Sequence, residues 1–277
     1  MLVKLGVSSS GYYRWKQGKV SRSAKRRIEI KEKIQQLYDA SKQTYGAPKI
    51  TQQLRQDHIC ISERTVGVYM RQMGIRACWV KPYTVTTKDS CFDQSLQNIL
   101  QEQFNPAEPD CAWCSDITYI WTEEGFVYLA SIMDLFSRKI IAWNLSRSLA
   151  VSSIITMLKQ AKKRRNPQNL LVIHTDRGCQ YVSQAYQQET DGMKRSYSKK
   201  GYPWDNACIE SFHALIKREW LNRFSIENYQ QAYQLVFEYI DTFYNTVRIH
   251  SHCGYLSPNN FEKQYAERKK AEKTLVG

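Results

Sequence analysis

The sequence predicts an α/β protein, a mixed five-stranded sheet with flanking helices, preceded by a small all-α module. Three observations carry that reading. Apolar residues recur at helical spacing in three blocks between Arg26 and Met73. The period turns strand-like after Pro109. From there the order is three strands, a helix, a strand, a helix, a strand and further helices, the pattern of a sheet covered on its faces. At 277 residues the chain can bury one sizeable core beside a smaller module.

The first element is a short helix predicted over Ser8 to Gly18, with Tyr12, Tyr13 and Trp15, followed by a basic stretch from Lys19 to Arg27. A helix with three aromatics and nothing ahead of it reads as the continuation of something longer, so residues 1–24 are read as a partial N-terminal segment. Residues 25–80 form a predicted helix-turn-helix module. Its first helix carries Ile28, Ile30, Ile34 and Leu37 as a buried stripe. Its second, after the turn at Tyr45, Gly46 and Pro48, carries Ile50 and Leu54. The third starts at Ser62, an N-cap, runs through Val66, Val68, Tyr69 and Met70, and stops at Gly74. Arg64 and Arg71 lie on that third helix, the one that enters a DNA major groove in this arrangement. A plain three-helix bundle has the same spacing; the local charge favours the DNA-binding reading.

That charge is uneven. Residues 1–90 hold 18 Lys/Arg against 6 Asp/Glu, so this third of the chain carries nearly all of the formal net charge of +14. A segment of that kind neutralises phosphates and releases their counterions, which points to a polyanion partner over a plain basic surface or an anionic membrane. The longest apolar run, near Phe126 to Met133, is far short of the ~20 residues a membrane helix needs. Lys4, Arg14 and Lys16 interrupt any leader-like stretch, so the cytoplasm is the default location. Eight cysteines without a dense framework suit a reducing compartment. Cys111 and Cys114 have the spacing of a zinc half-site but lack a matching second pair.

Residues 81–109 read as a linker with a short helix near Leu96 to Phe104, and residues 110–265 as the sheet domain. Its strands are predicted at Trp113 to Ile120, Phe126 to Leu135 and Lys139 to Ser146, an antiparallel meander, then at Leu170 to His174 and near Lys194 to Ser198. A helix is expected from Val151 to Lys163, and two longer ones over Asn206 to Arg223 and Ile226 to Tyr244. Residues 266–277 form a charged tail expected to fray.

Within WCSDITYI, Asp116 sits mid-strand among apolar residues, where an unpaired carboxylate costs several kcal/mol, so it needs a partner. Asp176, in LLVIHTDRG, follows the end of a buried strand, where open α/β sheets place their ligands. Glu210 falls on the helix after the turn Gly201, Tyr202, Pro203. A strand, a strand end and a helix can bring three hard oxygen ligands onto magnesium or manganese. Each acid alone is ordinarily a cap, a turn residue or a solvated side chain, and spacing leaves Asp134, in SIMDLFS, open as a further candidate.

The strings WCSDITYI, HTDRGCQY, SKKGYPWDNACIESFHALIKREW and YNTVRIHSHCGYLSPNNFE resemble the catalytic frame of insertion-sequence transposases of the IS-three group, relatives of retroviral integrases. The resemblance runs from the helix-turn-helix region to about Tyr265. It implies a ribonuclease-H-like core whose catalytic and metal-binding acids are Asp116, Asp176 and Glu210, with Asp134 structural. The 33 residues between Asp176 and Glu210 are two fewer than the family's usual interval, a shortening that falls near Gln187 to Met193 between intact motifs. Lys217 follows Glu210 by seven residues and so returns to the same helix face after two turns, with His213 between them. Relatives carry a basic residue there, which implies a hold on a terminal phosphate; an intrahelical ion pair is the plain alternative.

Lys199, Lys200, Tyr202, Trp204 and Asn206 have the mixture of charge and aromatics that contacts unpaired bases and backbone. Tyr244, Asn245, Arg248 and His250 match the family's C-terminal signature and are expected to support the site or bind DNA. The resemblance further implies a two-metal-ion polynucleotidyl transferase with two Mg2+ or Mn2+ ions about 3.5–4 Å apart, Asp116 bridging them. Its partners would be double-stranded DNA (element ends and target), at least one second copy of the chain, and an upstream-frame segment, in the bacterial cytoplasm on the nucleoid. Rival readings are a DNA-binding regulator or inactive copy, and a ribonuclease-H-like nuclease.

Overall fold

The computed structural model describes residues 6, 8–16, 21–78, 96–167, 170–199 and 202–276. The chain divides into two compact units, Met1–Cys78 and Trp79–Gly277.

The first unit is helical: α1 (Ser9–Lys16), α2 (Arg22–Ala40), α3 (Ala47–Gln56) and α4 (Glu63–Gln72). Local signals set its boundaries. Ser21 Oγ accepts the Ala24 amide and Ser62 Oγ the Thr65 amide, each at 3.2 Å, which satisfies first-turn donors of α2 and α4. Pro48 lies in the first turn of α3, where its missing N–H costs nothing. Gly74, at φ +70°, supplies the left-handed residue after α4. Ile30 and Ile34 of α2 pack with Ile50, Leu54, Val66 and Met70 in the core of this unit. The expected stripe on α2 is narrower than predicted, since Ile28 is 52% exposed. Two positions along a helix rotate a side chain by about 200°, so Ile28 cannot share a face with Ile30.

The second unit holds β1 (Ala112–Thr122), β2 (Gly125–Asp134), β3 (Ile140–Ser146), α5 (Val151–Arg165), β4 (Val172–Thr175), α6 (Gln184–Glu189), β5 (Lys194–Tyr197), α7 (Ala207–Glu219), α8 (Tyr229–Phe237) and α9 (Pro258–Val276). The five strands form one sheet in the order β3-β2-β1-β4-β5. β1, β2 and β3 make the antiparallel meander, and β4 and β5 add in parallel to β1. This is the mixed five-stranded architecture with flanking helices that the sequence predicts. Ile154, Met157, Leu158 and Ala161 of α5 pack on Trp113, Ala130, Ile132, Ala142 and Ile173.

One guanidinium ties the end of this layer together. Arg165, the last residue of α5, bonds Asp110 at 2.7 Å, Asp134 at 2.8 Å and Glu262 of α9 at 2.9 Å. Asp134 is fully buried and accepts the Asp110 and Phe136 amides as well. Burial still pushes its carboxyl up to about 6. Asp134 is thus committed to the scaffold.

Each outer strand of the sheet is met by another part of the chain at one end. On β3, the Asn245 side chain accepts the Ile140 amide at 3.0 Å and donates to the Ile140 carbonyl at 2.9 Å. On β5, the Tyr197 amide donates to the Gln97 carbonyl, and Ser196 Oγ accepts the amides of Ile99 and Leu100. These bonds hold residues 97–100 along the strand, so the helix expected near Leu96 to Phe104 does not form. The tail also differs: α9 runs on as helix to Val276, with Lys269 paired to Glu108 at 3.0 Å.

Arg165→Ala leaves three carboxylates facing one another, one of them fully buried, and is expected to cost about 3–5 kcal/mol in urea unfolding. Lys269→Ala, at an exposed pair, should cost no more than about 1 kcal/mol.

Candidate active site

The last registered pair between the parallel strands β1 and β4 is Ser115 with Thr175. Asp116 and Asp176 are the next residues on each, so two acids stand at the point where neighbouring strands, about 4.8 Å apart, part company. Asp116 continues β1 opposite Ser131 of β2. Its Oδ1 accepts the Ile117 amide at 2.8 Å, and its Oδ2 lies 3.4 Å from Nδ1 of the buried His213 on α7. The other ring nitrogen of His213 is 2.7 Å from Ser131 Oγ, so one imidazole spans the cross-strand pair. The mid-strand carboxylate has the partner its burial demands.

Asp176 turns back on its own loop, where Oδ1 accepts the Gly178 amide at 2.9 Å. A Cβ at residue 178 would stand 3.0 Å from that oxygen and 3.2 Å from Gln180 Oε1, so a larger residue there would press on the Asp176 carboxylate. Beneath it, the buried His174 bridges Ser196 and Ser198 at 2.9 and 3.1 Å, and burial lowers its pKa to about 4. The strands under Asp176 are therefore joined by a neutral ring.

Glu210 lies in the first turn of α7. The residue is exposed as a whole, yet its carboxyl is pushed up to about 7, by burial first and then by the charges of Asp116 and Asp176. Glu210 thus feels the charges of both strand acids. Three hard oxygen donors under mutual repulsion fit a divalent metal. Among the described residues no three His, Cys, Asp or Glu lie close enough to enclose an ion, so the carboxylates face one another without having drawn together.

Lys217 stands on the same helix as Glu210, its ammonium 4.3 Å above the Tyr119 ring. Burial lowers its pKa and Asp116 acts against that, which sets a cation beside the acids. Tyr181 is buried, with its hydroxyl 3.0 Å from Ser115 Oγ, and burial raises its pKa well above the ordinary value, so it braces β1 as a neutral phenol.

The remaining sequence candidates divide. Lys199, Tyr202 and Trp204 are exposed in the turn before α7, with Lys199 over the Tyr202 ring at 5.9 Å. Lys200 lies outside the described residues. Asn206 is only 4% exposed, which corrects its expected DNA contact. Arg248 is corrected too: it is buried, with Nε and Nη2 each donating to Glu219 at 2.7 Å and Nη1 3.0 Å from His250 Nε2. His250 is half-buried beside it and packs edge-on against Tyr244. This pair anchors the C-terminal signature inside the domain. Arg64 and Arg71 are exposed on α4 of the first unit. Ser131 went unnoticed in the sequence, since a serine within an apolar strand signals nothing until its neighbour across the sheet is known.

Known families match both units. The family described as an HTH-like domain matches residues 25–83, and two families described as an integrase core domain match residues 106–203 and 191–258. The transposase for insertion sequence element IS904 of Lactococcus lactis is 37% identical over 247 residues, covering 87% of this chain and 98% of that protein. Transposase InsF for insertion sequence IS3A of Escherichia coli is 34% identical over 270 residues, 94% of this chain and 92% of that protein. Among solved structures, the catalytic core domain of HTLV-2 integrase in complex with magnesium is 17% identical, with a TM-score of 0.43 over 56% of this chain and 98% of that one.

The raised Glu210 carboxyl has a pH signature. A folded-state pKa above the ordinary value means stability is intact at low pH and is lost as pH rises through about 7. In EDTA, Glu210→Gln escapes that loss, so it should melt roughly 2–4 °C above the wild type at pH 8, after allowance for solvent screening. The gain should shrink toward zero by pH 5. An equal gain at both pH values would rule out like-charge repulsion as its cause.

Proposed function

The chain belongs to the IS3-family insertion-sequence transposases, and from that premise we propose how its residues divide the work of cutting and joining DNA at insertion-sequence ends. It is a DDE transposase, and its reaction class is polynucleotidyl transfer. In this reading Asp116, Asp176 and Glu210 are the catalytic acids and hold two divalent ions, magnesium or manganese. When bound, such ions lower the pKa of an attacking water or 3′-hydroxyl and stabilise the leaving oxygen. One phosphorus–oxygen bond forms to that attacking oxygen as the bond to the leaving oxygen breaks, without a covalent enzyme intermediate. Tyr119 and Tyr181 are then supports, in keeping with the raised pKa of the buried Tyr181.

The protein's own groups restrain the acids. The Ile117 amide and His213 fix Asp116, and the Gly178 amide fixes Asp176. Lys217 holds a phosphate of the element end, and Lys199, Lys200, Tyr202 and Trp204 line the approach of the strand. Arg64 and Arg71 on α4 contact the duplex further from the cut. Two element ends call for at least two copies of the chain, joined by an upstream-frame segment, working in the bacterial cytoplasm on nucleoid DNA. The observation that supports this reading is the placement of Asp116 and Asp176 directly after the last registered pair of two neighbouring parallel strands, with Glu210 near enough for their charges to add to burial in raising its carboxyl.

Strand transfer with the element's own end DNA tests it. Wild-type protein should join ends when given magnesium, and Asp116→Ala, Asp176→Ala or Glu210→Ala should each lower the rate by at least about a thousandfold. Lys217→Ala should weaken binding of the end about tenfold, as loss of one charged phosphate contact does. Activity surviving any of the three acid substitutions would sink the assignment of that residue. Duplex binding by wild-type protein without cleavage would favour the regulator.

A further inference from the structure

Three aromatic rings stand together on one face of the hairpin between β1 and β2. Along β1, Tyr119 and Trp121 alternate with the buried Ile120 and Thr122, so the two point to the same side. Phe126 of β2 is registered opposite Trp121 and shares that side. Its ring meets Tyr119 at 5.4 Å and Trp121 at 4.8 Å, each in an edge-to-face arrangement. Tyr119 is 53% exposed, Trp121 62% and Phe126 48%. Contact across the strands with Phe126 accounts for one side of Trp121, but an indole this exposed keeps a ring face open to solvent. Contiguous exposed aromatic surface of this kind marks a place where something binds.

The patch is cationic at the end nearer the acids, where the Lys217 ammonium stands 4.3 Å above the Tyr119 ring. Pairing of β1 with β4 stops at Ser115, so no strand among the described residues intervenes between Asp116 and the rings on that side. Trp121 follows Asp116 by five residues, which at about 3.3 Å per residue places it roughly 16 Å further along β1. That span matches about five nucleotides of a stacked strand at 3.4 Å each. Two carboxylates occupy the turn at the far end. Glu124 is matched by Arg147 at 3.3 Å, and Glu123 accepts the Ser225 hydroxyl at 3.1 Å. An anionic ligand lying on the rings therefore keeps its charge on the Lys217 side of the patch.

We propose that Trp121 and Phe126 form a stacking platform for unpaired bases of the DNA strand that runs on from the acids, with Lys217 on the phosphates between, a reading that rests on the function proposed above. The occupant has to offer aromatic faces and negative charge together, and a single strand of nucleic acid does both. A second copy of the same face would bring another cation instead of an anion. Bases inside a duplex hide their faces against one another, so the bases held here are unpaired. Every base has such a face, so the platform holds a strand in place without reading its sequence. Tyr119 serves it from beneath, as the ring that carries Lys217 on one side and touches Phe126 on the other.

The test uses the full chain in EDTA and two fluorescein-labelled strands of about twelve nucleotides, one of thymidine and one abasic throughout, compared by anisotropy. The thymidine strand should bind at least about tenfold more tightly, since the abasic one offers phosphates alone. Trp121→Ala should cut that preference about fivefold or more and leave the affinity for the abasic strand unchanged, while Trp121→Phe should retain most of it. Trp121→Thr keeps the preference for a strand and decides the matter if Trp121→Ala lowers the melting temperature. Equal binding of the two strands by wild-type protein, or a base preference unchanged in well-folded Trp121 variants, overturns the proposal. So does loss of self-association by DNA-free Trp121→Thr in sedimentation with the base preference intact, which would make the patch a contact between copies. Strand transfer is measured on the same wild-type preparation. Transfer without a base preference that depends on Trp121 overturns the platform alone, whereas that preference without transfer supports the platform and overturns the proposed reaction.

Discussion

Three carboxylates have to be kept together against their own repulsion, and the second unit is organised around that constraint. Parallel pairing of β1 with β4 stops at Ser115 and Thr175, which leaves an acid at the head of each strand. α7 then carries the third across them. Nothing in such an arrangement is self-stabilising, as the raised Glu210 carboxyl records. The fold holds it by rigidity elsewhere. Arg165 locks the end of α5 to three carboxylates, and Arg248 locks Glu219 at the end of α7 to the C-terminal segment. Each of these acids has its cation in the scaffold. Asp116 instead meets the imidazole of His213, and that difference separates a structural carboxylate such as Asp134 from Asp116.

Much of this was legible in the chain. A charge within an apolar strand betrays Asp116, and a position just past the end of a buried strand betrays Asp176. Glu210 was not legible in the same way, because its approach to the other two depends on how a 33-residue connection folds. Only likeness to a known motif singled it out. The misreadings share a cause. Arg248 stands in a polar stretch that looks outward, but its partner Glu219 lies 29 residues upstream, and such a pairing leaves no local mark. Apolar spacing near Leu96 suggests a helix, yet bonds to Ser196 nearly a hundred residues away hold that segment straight.

The charge of the chain follows the same division. The first ninety residues carry the excess of cations and the remainder is close to neutral. A catalytic unit rich in surface cations would hold any DNA in any position. In the reading proposed above, concentrating phosphate affinity in a separate helical unit leaves the acids to act on a strand delivered to them, with local cations such as Lys217 and Lys199 setting its final path.

The contacts made on β3 by Asn245 and on β5 by residues 97–100 bear on assembly. An uncovered outer strand is a template for the same strand in another molecule, and a protein that gathers copies of itself on one DNA would be prone to indiscriminate fibre-like stacking. Contacts from the chain itself at Ile140 on one flank and at Tyr197 on the other interrupt that template at one end of each strand. A strand edge interrupted in this way offers a shorter run of backbone for another copy to pair with.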